Sequence, residues 1–415
     1  MQRIAGLTAV AVICVLAGCS SAVSKPSVVT SSSASAVPSL ELPSPTPTPS
    51  AFPTSTYGPS STTDAVAFAS PTYGWGVGSV CTVNCTLRVA TTDNGGKTWG
   101  SSVAIATLPF SINGDPFANV SVRFQGANGW ISGPNLYASH DNGHAWRQAL
   151  SGPILALEPY ENETWAVRGC GADDTVGCLP RLMVSPADSD NWSVASPQPH
   201  FALSVAAGAT PFVVIERAPR GIAFVAENIV PPPYPSGGGA VSSEGQLLFT
   251  STNLGRSWQS LPTPCSGIQS IRSIDGVHVW ILCAEPCCTG NWVKSVWTSA
   301  DGGRIWSERS GTDPIAKGSI PFSGTADSLT VTTNGIGVFG GSNGVGIWRS
   351  SNSGITWDPT WTDICIEGGD QVSQIWFATP LVGWAVTSNS VDPQCASLLR
   401  TINSGLSWTA LRAPF

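Results

Sequence analysis

Acidic side chains are the first candidates for chemistry in this sequence. Asp363, Glu367 and Asp370 crowd one short stretch, and Glu285 and Asp392 stand in other segments. Two carboxylates about 5–10 Å apart can cleave a glycosidic bond, one as acid and one as base or nucleophile. Two acids converging in a pocket at the centre of the fold, on the face that carries the long loops, would favour a hydrolase, and their absence would favour binding. His140 and His144 flank Asp141, but the three fall inside a turn-like motif that explains them without a metal. Cys283, Cys287 and Cys288 are dense, whereas zinc sites favour paired, spaced ligands. Neither a metal nor a cofactor is expected. The sequence carries no nucleophile elbow, phosphate loop or HExxH helix.

The elements that would position these groups are short strands. Gly (44), Pro (33) and Trp (17) are abundant, and no helical period of useful length follows the N-terminus. Charged residues are 11% of the chain and the net charge is −7. With no basic patch, nucleic acid is an unsuitable partner.

A unit ending in Trp recurs seven times, at Trp99, Trp146, Trp192, Trp258, Trp306, Trp357 and Trp408. Each Trp closes a small motif, clearest in Ser139-His-Asp-Asn-Gly-His-Ala-Trp146 and Ser299-Ala-Asp-Gly-Gly-Arg-Ile-Trp306. Asp141 and Asp301 hold the acidic position there, and Asn94, Asn253, Asn352 and Asn403 hold it in four other copies. The third copy, Ser185 to Trp192, keeps its ends and loses the Gly. Upstream of the boxes lie Gly-Trp segments such as Gly74-Trp-Gly-Val-Gly78 and Gly383-Trp-Ala-Val386, which read as a buried second strand.

The motif resembles the Asp-box, or bacterial neuraminidase repeat. The resemblance covers residues 65–415 and makes the Asp or Asn a turn-closing device, not a catalyst. Four strands per unit, seven times, predicts an all-β fold: a seven-bladed β-propeller of four-stranded blades. No strand exchange is evident, so blades 1 and 7 are expected to close by packing. Pairing Gly-Trp strands with boxes also resembles the photosystem II stability/assembly factor family, a non-enzymatic branch. That family's basic partner-binding patch has no match here. Sialidases resemble the chain only in the boxes and carry an Arg-Ile-Pro type motif that it lacks.

The N-terminus reads as targeting sequence. Arg3 precedes an uncharged apolar run, Ile4 to Leu16, too short to span a membrane. Leu16-Ala-Gly-Cys19 looks like the lipobox of bacterial lipoproteins, which implies a signal peptide over 1–18 and a lipidated Cys19 (palmitate included) on the extracytoplasmic face of the cell membrane. Residues 19–63 then form a Ser/Thr/Pro-rich stalk with too few apolar groups to fold, and 64–415 the propeller.

Ten further cysteines, 81, 85, 170, 178, 265, 283, 287, 288, 365 and 395, suggest five disulfides outside the cell. The expected pairs are Cys81–Cys85, Cys170–Cys178 and Cys365–Cys395, with Cys265, Cys283, Cys287 and Cys288 pairing among themselves. All ten lie in or beside connections on the face opposite the boxes. The longest insertions fall there too, bringing Tyr234, Glu285, Trp292, Trp361, Asp363, Glu367 and Asp370 as candidates for a binding face. The expectation is a monomeric, non-enzymatic, membrane-tethered scaffold that holds a protein or glycan on its stapled loops, with a carbohydrate-active hydrolase as the alternative.

Overall fold

The computed structural model describes residues 60–110, 114–118, 120–170, 178–201, 210–230, 246–286, 292–312, 320, 328–341, 346–362, 370–389 and 397–415. The expected signal segment, Cys19 and the expected stalk to residue 59, together with Tyr234, Asp363, Glu367, Cys287, Cys288, Cys365 and Cys395, lie outside these residues. Seven antiparallel sheets follow one another along the chain, each of four consecutive strands, here A to D. This is the seven-bladed all-β propeller that the repeat predicts. The A strands, Ser60–Phe68, Ser121–Gln125, Ile154–Tyr160, Thr210–Ala218, Ile268–Ser273, Ser328–Val331 and Asp370–Phe377, line the central channel. Blade 1 begins earlier than the composition change suggests. Ser60 to Thr63 already pair with Cys81 to Gly78, because Ser and Thr serve in a strand as well as in a stalk.

Strand B carries the packing. Trp75, Trp130 and Trp384 are fully buried, and Phe224 and Val338 take the same place in blades 4 and 6. Trp75 stacks on Phe124 of the next blade with ring centroids 3.4 Å apart, and Phe124 meets Trp146 edge-on. Each strand-B aromatic thus supports the following blade, so the core is a circle of interfaces between blades.

The recurring turn between strands C and D shares its hydrogen bonds to the Asp or Asn Oδ1 and to the first hydroxyl in six blades, and the four Asn copies add a bond from Nδ2. In blade 6, Asn352 Oδ1 accepts from the Thr356 N–H at 3.0 Å and from Ser350 Oγ at 3.0 Å, and Asn352 Nδ2 donates to Thr356 Oγ1. Ser350 Oγ also accepts the Gly354 N–H at 2.9 Å. In blade 2 the Ala145 N–H and the Ser139 hydroxyl hold the Asp141 carboxyl below its ordinary range. The residue at the motif's fifth position packs flat on the preceding blade: a Cβ on Gly303 would lie 2.9 Å from Leu261 Cδ1 and 3.8 Å from Phe224. Position four is left-handed as well. Gly95 and Gly302 suit it, but Asn142, Leu254, Ser353 and Ser404 also stand there with φ of 59–61°.

A left-handed residue with a Cβ costs about 1–2 kcal/mol. Leu254 is the bulkiest of the four and is 40% exposed. Replacing Leu254 by Gly is therefore expected to raise stability by up to about 1 kcal/mol, after the entropy that Gly adds to the unfolded chain. Thermal unfolding checks this; a lower midpoint would mean that the Leu254 side chain packs favourably enough to offset the strain.

Blade 3 departs from the pattern. Its turn has Ala187 where other blades have Asp or Asn, and Ser185 Oγ donates instead to the Ser189 carbonyl at 2.9 Å. In blades 1 and 7 the strand-B indole donates to the next turn: Trp75 Nε1 to Asn142 O at 2.8 Å, and Trp384 Nε1 to Gly95 O at 3.0 Å. Trp130, which faces the degenerate turn, keeps a buried Nε1 with no partner among the described residues.

The ring closes between complete blades. Phe68 stacks on Trp384 with centroids 3.6 Å apart. Val66 N donates to Gln374 Oε1 at 2.9 Å, Trp376 Nε1 to Phe68 O at 3.1 Å, and Trp99 Nε1 to Arg412 O at 3.1 Å. Both ends of the chain's propeller take part in side-chain closure, and no strand is exchanged.

Candidate functional site

Two surfaces gather chemistry: the stapled loop face and the central channel. The C–D turns sit against the A–B connections, as in Gly95 N to Thr72 O and Ser404 N to Leu381 O. The B–C and D–A connections share the other face, as in Phe110 N to Val83 O. Three disulfides lie on that second face: Cys81–Cys85, Cys170–Cys178 and Cys265–Cys283. Cys81–Cys85 closes a B–C hairpin. Cys265–Cys283 ties the D–A connection ahead of blade 5 to that blade's own strand B, Val279–Pro286, near the end that leads into the B–C connection.

The Cys265–Cys283 loop spans 18 positions. Closing a loop of this length stabilises a fold by about 3 kcal/mol. Replacing both cysteines by Ser is expected to cost about that much in denaturant unfolding. An unchanged midpoint would show that the staple is dispensable.

Several residues expected on a binding face also make contacts within the fold. Glu285 Oε1 accepts the Ser266 N–H at 2.9 Å, holding the stapled D–A connection. Trp292 and Trp361 are half-buried and pack against the Phe339 and Ile347 cores, respectively. Asp370 opens strand A of blade 7. Apolar side chains are exposed on both faces: Val83, Phe110 and Leu179 beside the staples, and Leu254, Ile305, Ile355, Ile402 and Leu406 at the C–D turns. His140 bridges blades 2 and 3, with Nδ1 2.8 Å from Asn128 Oδ1 and Nε2 3.3 Å from Asp190 Oδ1, while Arg147 also reaches Asp190. His144 bonds its own turn at Asp141 O.

The charged residues of the channel were not among the sequence candidates. The channel holds a cavity of about 580 Å³ lined by all seven A strands. One residue per blade occupies the same register, directly across from the Trp position of strand B. Around the ring these are Ala67, Arg123, Glu158, Glu216, Arg272, Thr330 and Trp376. All lie near the end of strand A, so the ring sits toward the turn face. Bulges at Asp64, Leu155, Gln269 and Ser373 break the A-strand register in blades 1, 3, 5 and 7, and all four residues line the cavity. A bulge re-aims a side chain that regular pleating would turn elsewhere.

Burial dominates the electrostatics. Glu216 is 8% exposed, and burial pushes its carboxyl up to about 7, although Arg272 Nη1 lies 3.1 Å from Oε2 and the Ser273 N–H donates to Oε1 at 2.8 Å. Burial also raises Glu158, against the pull of Arg123, Arg272 and Arg217. Arg217 itself lies behind the ring, stacked 4.3 Å from the Trp165 centroid and bonded to Tyr160 O and Glu163 O. Asp64 is pushed up to about 7 by burial, with Thr62 bonding to it and Asp115 repelling it; its Oδ2 is buried without a partner. Gln374 Nε2, one blade away, is also buried, and like Asp64 Oδ2 it has no partner among the described residues.

Two acids, Glu158 and Glu216, do line the channel, but at the turn side and not on the loop face where a hydrolase pair was expected. A shared charged position near the end of strand A in blades 2 to 5 is the signal that would have found them.

No family model matches the chain, and no curated protein matches it. Solved structures do. YCF48 from Cyanidioschyzon merolae superposes with a TM-score of 0.52 at 17% identity, over 83% of this chain and 95% of that one. The β-propeller domain of the trilobed protease from Pyrococcus furiosus, which has an open velcro topology, gives 0.50 at 9% identity over 85% and 98%. The PL25 ulvan lyase gives 0.50 at 9% identity over 82% and 93%. At these identities the likeness is one of fold, and the chain is a β-propeller of an architecture found in lyase, protease and YCF48 proteins alike.

Proposed function

We propose that this protein is a lipid-anchored, extracytoplasmic propeller that holds a protein or glycan partner on its stapled loop face. The observation that carries this reading is the placement of the staples: three disulfides from three different blades fasten connections of one face only. Rigid loops on a rigid scaffold lower the ordering cost of binding. The turn face needs no such staples, because its turns close on their own hydrogen bonds. The recurring turn is the Asp-box of the sequence resemblance, acting as a folding device. Cys19 and the stalk give the domain reach from the membrane.

A hydrolase is the second reading, because Glu158 and Glu216 share the channel. A glycosidase needs one carboxyl protonated and its partner ionised, with their pKa values pushed apart. Here burial drives both upward, and Glu216 is committed to Arg272 and to the Ser273 N–H. That arrangement suits structure more than turnover.

A glycan array and a panel of glycosidase substrates, applied to the oxidised full-length protein, separate the readings. Binding without turnover supports the scaffold. Turnover abolished by Glu158→Gln or Glu216→Gln would overturn it.

A further inference from the structure

The channel ring contains two acid–base neighbours, and only one of them is joined. Glu216 and Arg272 meet at 3.1 Å, and the Ser273 N–H caps the carboxylate. Arg123 and Glu158 come from adjacent blades, face the same cavity, and each is the other's strongest charged neighbour. Yet they form no ion pair. Arg123 Nη1 donates to the Val122 carbonyl at 3.1 Å, and its guanidinium lies 5.6 Å from the Trp376 ring centroid, across the small Ala67 of blade 1. The Glu158 carboxylate has no hydrogen-bond partner among the described residues.

Two opposite charges held apart in a partly desolvated cavity leave hydrogen-bonding capacity unspent on both. A lone anion on Arg123 would face the Glu158 carboxylate. A lone cation on Glu158 would face the Arg123 guanidinium. A metal ion would need several clustered donors. Among the described residues the cluster close enough is Cys81, Cys85 and Asp115, where both sulfurs are already in a disulfide. A molecule carrying both charges satisfies both groups and adds no net charge. The cavity, about 580 Å³, falls in the range of roughly 300–1,000 Å³ usual for small-molecule sites. Trp376 supplies a flat apolar wall beside Arg123.

We propose that the open Arg123–Glu158 pair is a receptor for a small zwitterion of the α-amino acid class, with its carboxylate on Arg123 and its ammonium on Glu158. This site stands apart from the loop face, and neither reading depends on the other. The simplest rival is bridging water, which would satisfy the same two groups with no ligand.

The test is calorimetric titration of the full-length protein with the set of protein amino acids, each at millimolar concentration. Any binder is followed by its amide, which keeps only the ammonium, and its desamino acid, which keeps only the carboxylate. At least one amino acid is expected to bind saturably, and each analogue to bind about tenfold more weakly or worse. Arg123→Gln and Glu158→Gln should each weaken the amino acid by a similar factor. The analogue series needs no variant, so it decides even if a substitution unfolds the ring. No saturable binding, an analogue that binds as well as its amino acid, or binding indifferent to both substitutions would each overturn the proposal.

Discussion

Trp384→Ala should be the most damaging single substitution in this propeller, costing about 3–5 kcal/mol. The side chain is fully buried, stacks on Phe68 at 3.6 Å, and donates from Nε1 to Gly95 O. Phe68 and Gly95 belong to blade 1 and Trp384 to blade 7, so the loss falls at the one junction that chain connectivity does not reinforce. Trp130 is equally buried, but it joins consecutive blades and its indole N–H is already without a partner. Trp130→Ala leaves a cavity of the same kind, yet the chain still links blades 2 and 3. Thermal unfolding and limited proteolysis measure the contrast. Trp384→Ala should lower the midpoint further and open early cleavage sites in blades 1 and 7. Equal effects would mean that ring closure adds nothing beyond ordinary packing.

The second large effect is on pH. Burial raises Glu216 from 4.5 to about 7 and Asp64 from 3.8 to about 7. Between those ordinary values and about 7, the folded protein holds protons that the unfolded chain releases. Stability from these groups is therefore full at low pH and is lost as pH rises through about 7. Asp141 and Asp301 act in the opposite sense: backbone N–H groups of Ala145 and Ile305 hold them below their ordinary range, so their contribution is lost only in strong acid. The propeller should be more stable near pH 5 than near pH 8, by a few degrees in midpoint. Glu216→Gln keeps acceptors for Arg272 and the Ser273 N–H while removing the titration. It should flatten the slope and raise the midpoint at pH 8. A wild-type midpoint that climbs from pH 5 to pH 8 would contradict the upward push of burial on these acids.

The fold was legible in the sequence because its signals are local and repeated. Asn352, Gly354 and Trp357 act within one turn, and the same spacing recurs in six blades, so each copy corroborates the others. The staple pairs Cys81–Cys85 and Cys170–Cys178 were legible for the same reason, as near neighbours in single connections. The channel was not. Arg123, Glu158, Glu216 and Arg272 are single charged residues in separate strands, and only ring closure brings them to one level. Their bulged neighbours Asp64 and Gln269 leave no mark in the residue pattern, because a bulge is a property of pairing. The packing role of two loop-face aromatics was not legible either. Trp292 and Trp361 fall in segments that look like insertions, yet half of each side chain completes a neighbouring core.

Photo-crosslinking in intact cells tests the loop-face reading most directly. A photoreactive phenylalanine analogue would replace Val83 and Leu179 beside the staples, and Ile305 and Ile402 at the turns. Each of these side chains is exposed, so the replacements should not disturb the core. The account predicts a discrete adduct from Val83 and Leu179 and none from Ile305 and Ile402. Adducts from the turn positions alone would place the partner on the opposite face and contradict it.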